Sequence, residues 1–206
     1  GRDKQVGIEC QVYTSENNSW LFEFPSLPKG RFNSVCFVYR DSLYVFGGTD
    51  NSSNMNEIVR YDLSTQNSGE WTTIAKVNEA NQRGGVAFVV EDKVYAGLGE
   101  KSNGIRNGFY VSSDSLTKWE LIPSIPAQLG VISSGVYDEQ KKSFFMIDND
   151  GKIWEYNLTT EQWTSRSLWI RMKNYHMFML DGSIYILGQD IYQKNKFTVY
   201  NPIWDN

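Results

Sequence analysis

Histidine sets the first limit on the chemistry this chain can do. It has one, His176, inside the apolar run YHMFML. A Ser–His–acid triad needs an imidazole placed between a nucleophile and a carboxylate, and no spacing in the sequence supplies those partners. Cysteine is nearly as scarce, with Cys10 and Cys36 alone. Cys36 stands within VCFVY, where a buried and inert thiol is expected. A Cys10–Cys36 disulfide is the alternative, and two cysteines do not decide the redox compartment. The carboxylates Asp148, Asp150 and Asp190 fall in turns. Gathered together they would suit a hard cation such as Ca²⁺, although Asp in a turn more often bonds its own backbone. The remaining signal is cationic. Arg31, Arg83 and Lys173 each stand just before an apolar run: SVCFVY, GGVAFVV and YHMFML. If those entrances converge, the three cations and His176 make a site for a carboxylate ligand. The opposing reading, which we favour, is that an arginine at a strand entrance merely pairs with neighbouring blades, and that His176 is packed in the core or faces a central channel.

Composition removes several function classes. The 206 residues are 40% hydrophobic and 15% aromatic, enough to build a substantial core and rich in the rings that pack on pleated sheets. A net charge of −4, without any basic run, argues against a nucleic-acid partner. No apolar run approaches the roughly 18 residues of a membrane span. No cofactor is expected. The chain begins GRDKQVG and stops at NPIWDN, so both ends read as cut. Sequons start at Asn17, Asn51 and Asn157, as chance predicts in an Asn-rich chain.

Four sets of segments repeat in phase. Tryptophans recur at Trp20, Trp71, Trp119 and Trp163, each opening a short strand-like run: WLFEF, WTTIA, WELIP and WTSRS. Between them stand DSLYVFGG at 41–48, DKVYAGLG at 92–99, KSFFMIDNDG at 142–151 and GSIYILGQD at 182–190. A first strand precedes each of these (SVCFVY, GGVAFVV, ISSGVYD, YHMFML), and a Tyr-bearing or aromatic strand follows (EIVRYDL, GFYVSSD, KIWEYNL, KFTVYNP). A period of about 50 residues with four short strands predicts a β-propeller, whose sheets bury their faces against one another around an axis. Blade parts are expected at 8–24, 31–75, 83–123, 131–167 and 173–200. The first holds only a third and fourth strand, and the last only a first, second and third. That makes about four blades' worth of strands, circularly offset. Either the N-terminal outer strand completes the last blade, or the chain is an arc of a larger ring; we expect the arc, with further blades of the same polypeptide as its neighbours.

Residues 31–75 carry Gly47-Gly48, Tyr61 and Trp71 in an order that resembles a kelch blade. Blade two keeps Gly97, Gly99, Tyr110 and Trp119 with Gly-Leu-Gly in place of the double glycine. Blade three keeps Tyr156 and Trp163, and blade four only Gly188. The chain is thus identified as similar to the kelch-type propellers of the galactose-oxidase central-domain-like superfamily. YVSSDSLTKW at 110–119 resembles a worn Asp-box, the structural turn of sialidase-like propellers, with Ser112, Asp114 and Trp119 in place and Leu116 at the glycine position. The mixture resembles exported propellers of Bacteroidetes-type bacteria.

The resemblance implies a rigid scaffold with function in its loops. Copper oxidases of this superfamily need two histidines, so a single His176 does not assemble their site. The expected function is a non-catalytic binding module for a glycan or a protein, extracellular or periplasmic, using loops 49–57 and 100–107. The alternative implied by the resemblance is a sugar-acid mutarotase or epimerase, with Arg31, Arg83 and Lys173 at the ligand.

Overall fold

Tight hairpins set the register of the sheets. Arg40 and Asp41, at φ 45° and 56°, turn the chain between β3 (Val35–Tyr39) and β4 (Ser42–Phe46). Two left-handed residues match the twist of the flanking strands, and Tyr39 therefore faces Ser42 across the pair. Asp181 and Gly182 do the same between β15 (Lys173–Leu180) and β16 (Ser183–Gln189).

The computed structural model describes residues 8–65, 68–104, 108–113, 115–126, 134–148, 151–169, 172–190 and 192–202, with the side chains of 21–23, 167–169 and 173–174 outside that description. Blade 1 is completed by β5 (Glu57–Asp62) and β6 (Thr72–Lys76). Blade 2 comprises β7 (Val86–Val90), β8 (Lys93–Gly97), β9 (Phe109–Ser113) and β10 (Glu120–Leu121). Blade 3 comprises β11 (Gly135–Asp138), β12 (Ser143–Ile147), β13 (Lys152–Asn157) and β14 (Gln162–Trp169). Blade 4 adds β17 (Asn195–Tyr200) to β15 and β16. All pairings are antiparallel and sequential, and the first strands meet in the order β3, β7, β11, β15. The architecture is an all-β, four-blade propeller arrangement.

The N-terminal strands β1 (Cys10–Thr14) and β2 (Ser19–Phe24) form a two-stranded sheet of their own and do not extend β17. They occupy the outer-strand place of a blade preceding blade 1. Trp71 donates its indole N–H to the Pro25 carbonyl just after β2 (2.8 Å), as Trp163 donates to the Pro123 carbonyl just after β10. Phe24 closes the contact, its ring 4.6 Å from that of Tyr61.

Burial follows from the stacking. The second strands β4 and β12 are covered on both faces, and β12 (SFFMI) is buried at every position. Three apolar clusters fill the seams. Blades 1 and 2 meet through Val35, Phe37, Phe46, Val94 and Ala96. Phe88 stacks on Phe144 at 4.4 Å between blades 2 and 3. Val136, Phe145, Met177 and Ile186 join blades 3 and 4. By contrast β3 alternates buried and exposed, because only one of its faces has a neighbouring blade over it. Cys36 lies on the other face and is exposed, which corrects the expectation of a buried thiol; both Cys10 and Cys36 are free. An apolar run does not by itself tell a two-sided strand from a one-sided one.

Buried phenols make the fold sensitive to alkali. Burial pushes Tyr156 up to about 12, with Glu161 adding to the effect, and raises Tyr175, which donates to the Ile147 carbonyl at 2.6 Å, further still. A raised folded value keeps its stabilisation below the unfolded phenol range near 10 and loses it as pH climbs through that range and up to the folded values. Unfolding free energy measured by urea at increasing pH is expected to fall steadily above about pH 10. Tyr175→Phe flattens that slope.

Candidate binding site at the axial end of blades 1 and 2

The chain enters each first strand beside the point where it leaves the second strand, because β3 and β4, like β7 and β8, pair first residue to last. Val35 faces Phe46, and Val86 faces Gly97. Aligning the blades on those pairs makes Gly47 equivalent to Leu98 and Gly48 to Gly99. Gly47 has φ 64°, and Leu98 holds the same left-handed conformation at φ 62° while fully buried. At this position the Gly-Leu-Gly of blade 2 keeps the left-handed conformation, with a leucine carrying the strain that glycine avoids.

The same alignment places Arg31 opposite Gln82, and Phe32 opposite Arg83. Arg31 is buried, its side chain 1% exposed. It donates to the Gly47 carbonyl (3.1 Å), to the Lys29 carbonyl (3.4 Å) and to the Glu57 carboxylate (3.2 Å). Gln82, also buried, latches its own blade by accepting from the Gly99 N–H (2.7 Å) and donating to the Glu79 carbonyl (2.8 Å). These two side chains lock the second-strand exit to the first-strand entrance. Arg83 points the same end at solvent, 44% exposed, with its guanidinium on Glu100 at 2.9 Å.

Between the blades, hydrogen bonds fasten this end directly. The Gly48 N–H reaches the Gln82 carbonyl (2.8 Å), the Gly84 N–H reaches the Asn33 carbonyl (2.7 Å), and the Asn54 amide donates to the Glu100 carbonyl (2.8 Å). Loop 49–57 is braced internally as well. Asp50 accepts from the Ser52 hydroxyl and from the Ser52 and Ser53 N–H groups, while Lys29 pairs with it at 2.8 Å. The Lys29 ammonium, followed by the Ser52 hydroxyl, holds the Asp50 carboxyl well below the usual carboxylate range. That bracing is therefore complete above the ordinary carboxylate range and is lost only as pH falls through the lowered value.

Among the described side chains, Arg31, Arg83 and His176 stand in three different settings. Arg31 lies inside blade 1. Arg83 faces solvent beside Glu100, an acid of its own blade rather than of a neighbouring one. Lys173 opens β15 opposite Gln189, and its side chain lies outside the described residues. His176 is exposed on the outer face of β15 and is not packed in the core, because β15 alternates and Tyr175 and Met177 take the buried face. Asp150 and part of loop 100–107 lie outside the described residues. Asp148 is a turn-maker: it accepts from the Lys152 N–H (2.9 Å) and the Trp154 indole (2.8 Å). Asp190 caps its own loop in the same way, accepting from Tyr192 and Lys194 N–H groups.

The Asp-box-like turn is structural. Ser112 donates to the Lys118 carbonyl (2.6 Å), Trp119 donates to the Leu116 carbonyl (2.9 Å), and Leu116 keeps the left-handed conformation of the missing glycine at φ 58°. Asp114 lies outside the described residues.

Phe32 was not singled out from the sequence. It is 39% exposed and pairs with Thr49 in an isolated bridge, as Arg83 pairs with Glu100. The signal was present in the position shared with Arg83, visible once Leu98-Gly99 is set against Gly47-Gly48. The axial end of blades 1 and 2 thus presents an aromatic ring and a guanidinium at corresponding positions, flanking the Gly84–Asn33 hydrogen bond. A carboxylate (Glu100) and an exposed loop amide backbone (Asn51–Ser53) adjoin them.

Comparison with known proteins agrees with this architecture. Residues 30–78 match the family model of the Kelch motif, which is blade 1 together with its entrance. The fold is similar to that of the solved structure of YjhT, at 15% sequence identity and a TM-score of 0.77, covering 98% of this chain and 79% of that one. In all, 680 solved chains match, so the architecture is widely shared and does not single out a ligand. No curated protein matches the chain.

Proposed function

We propose that this kelch-type propeller is a non-catalytic binding module that takes an acidic glycan at the axial end of blades 1 and 2. The observation that carries the reading is the presence of exposed Phe32 and exposed Arg83 at equivalent positions of two adjacent blades, which the Gly48–Gln82, Gly84–Asn33 and Asn54–Glu100 hydrogen bonds fasten together. A sugar ring stacks on an aromatic face, and a guanidinium meets a sugar carboxylate in a two-pronged fit. Glu100 already holds Arg83 in place, so little ordering is left for the ligand to impose. A protein partner would use the same loops, which project from a fixed scaffold. The module is assigned to an extracellular or periplasmic setting on the resemblance to exported propellers noted above.

Calorimetry against N-acetylneuraminate, glucuronate and their oligosaccharides tests the assignment. Binding is expected, weakened about tenfold by Phe32→Ala and by a similar factor by Arg83→Ala. Absence of binding to every acid, or unchanged affinity in both variants, overturns the glycan reading. The mutarotase reading has its own observable, exchange of the sugar's anomers followed by magnetisation transfer. Exchange that disappears in Arg83→Ala would replace the non-catalytic reading with it.

A further inference from the structure

Loop 100–107 carries an Asn-Gly pair, Asn103-Gly104, in a turn beside the candidate site. Asparagine is chemically labile where the next backbone nitrogen can attack its side-chain amide. Glycine in the next place favours that attack, because no Cβ shields the nitrogen and the backbone rotates freely. Both residues are exposed. Gly104 holds φ 78°, and a Cβ built on it would meet nothing within 4 Å, so the approach to its nitrogen is open. Its N–H is held by a turn bond to the Lys101 carbonyl (2.9 Å) in that exposed loop. Other asparagines are better restrained. Asn157 accepts from the Thr159 and Thr160 N–H groups and donates to the Ser143 hydroxyl and the Lys141 carbonyl. The Asn18 side-chain oxygen accepts from the Tyr13 hydroxyl (2.7 Å). After Asn51, the Ser52 nitrogen is tied to the Asp50 carboxylate at 3.1 Å. The second Asn-Gly pair, at 107–108, ends in a crowded glycine. A Cβ on Gly108 would fall 2.4 Å from the Tyr110 hydroxyl, and the Gly108 carbonyl accepts from the Leu98 N–H.

We propose that Asn103 is a self-modifying site, converting with time to aspartate and isoaspartate and so lowering the affinity of the adjacent surface for acidic ligands. The Gly104 nitrogen forms a bond to the Asn103 side-chain carbonyl carbon. Ammonia leaves, carrying the proton that nitrogen gives up, and a cyclic imide remains. Water then adds to either imide carbonyl and breaks its bond to the nitrogen, which regains a proton. The sum exchanges one ammonia for one water, without oxidant or reductant, and an uncharged amide becomes a carboxylate. Position gives that charge its effect. Glu100 is locked to Arg83 by paired backbone bonds of 3.0 and 2.8 Å, and its carbonyl also accepts from the Asn54 amide. Three residues of chain reach at most about 11 Å, so the new carboxylate stands within about one Debye length of Glu100. The turn bond from Gly104 to Lys101 shortens the span further. From there the charge opposes a sugar carboxylate approaching Arg83. That consequence rests on the function proposed above, whereas the modification itself does not.

The test incubates the full 206-residue chain in warm, mildly alkaline buffer and follows its asparagines by peptide mass spectrometry. A gain of about one mass unit at Asn103 is expected ahead of every other asparagine, with isoaspartate as part of the product. Asn103→Gln, whose longer side chain closes the ring poorly, loses the gain while keeping the circular dichroism spectrum of the fresh chain. Calorimetry with N-acetylneuraminate then compares the fresh chain with Asn103→Asp. Affinity is expected to fall about twofold at low salt and to recover at high salt. No gain at Asn103, or an earlier gain at Asn18, Asn51 or Asn107, overturns the site. Equal affinity of Asn103→Asp, where the fresh chain binds N-acetylneuraminate, overturns the effect on binding. Binding by neither form, with the mass gain present at Asn103, overturns the glycan reading and leaves the modification established.

Discussion

Replacing Gly47 by alanine is expected to destabilise the protein by about 3 kcal/mol or more, the sum of a left-handed backbone forced on an L side chain and overpacking of a rigid seam. The residue has φ 64°, and an added Cβ would fall 2.4 Å from the Ala80 carbonyl oxygen and 2.7 Å from that of Gln82. Both atoms are backbone on the entrance to blade 2, so relief requires the two blades to part. Blade 2 offers the internal comparison. Leu98 tolerates the same φ because its side chain enters the cluster between blades 2 and 3, which shows that the steric contact with blade 2, rather than φ alone, decides the outcome at Gly47. Urea unfolding of Gly47→Ala measures the loss. A cost below about 1 kcal/mol, that of the backbone conformation alone, would mean that the seam yields.

Arg31→Met is the second large effect, with an expected loss of about 3 kcal/mol, the size found when one partner of a buried charged pair is removed. The arginine side chain is 1% exposed and Glu57 22%, so the pair is little screened by water. Methionine fills part of the volume but leaves a carboxylate oxygen of Glu57 without the guanidinium and the Gly47 carbonyl with only the Ser34 hydroxyl, at 3.3 Å, as a side-chain donor. Lys76, 3.4 Å from the other oxygen of Glu57 and 65% exposed, compensates only in part. Hydrogen exchange should show the loss concentrated in blade 1, as expected where each repeat leans mainly on its neighbours. If Arg31 were instead a ligand contact, Arg31→Met would abolish binding while sparing stability.

The fold was legible because its signal is redundant. Four strand sets in phase, with Trp71 and Trp163 landing on equivalent prolines and Tyr61 and Tyr156 packing against them, over-determine a stack of blades. The site was less legible for a physical reason. Arg31 and Arg83 differ by one place in register, and one place along a strand entrance moves a side chain from the blade interior to solvent. Sequence pattern alone gave both the same role. The core half of the reading of His176 fails for a related cause: its apolar neighbours belong to a strand with one face buried, and alternation puts the histidine on the other. Phe32 was overlooked because a lone aromatic beside an arginine carries no message until the Gly-Leu-Gly of blade 2 is aligned with the double glycine of blade 1. Exposure of Cys36 depended on which faces have neighbours, a property of the assembly of blades rather than of any segment.

The central claim, that the axial end of blades 1 and 2 is where this module binds, is tested most directly by amide chemical-shift mapping during titration with a sialylated or uronate-bearing oligosaccharide. The proposal predicts perturbations concentrated at Phe32, Asn51–Asn54, Arg83, Gly84 and Glu100, with the hairpin turns at Arg40 and Asp92 unchanged. Shifts centred on those hairpin turns, or on His176 and Leu187 of blade 4, would contradict it.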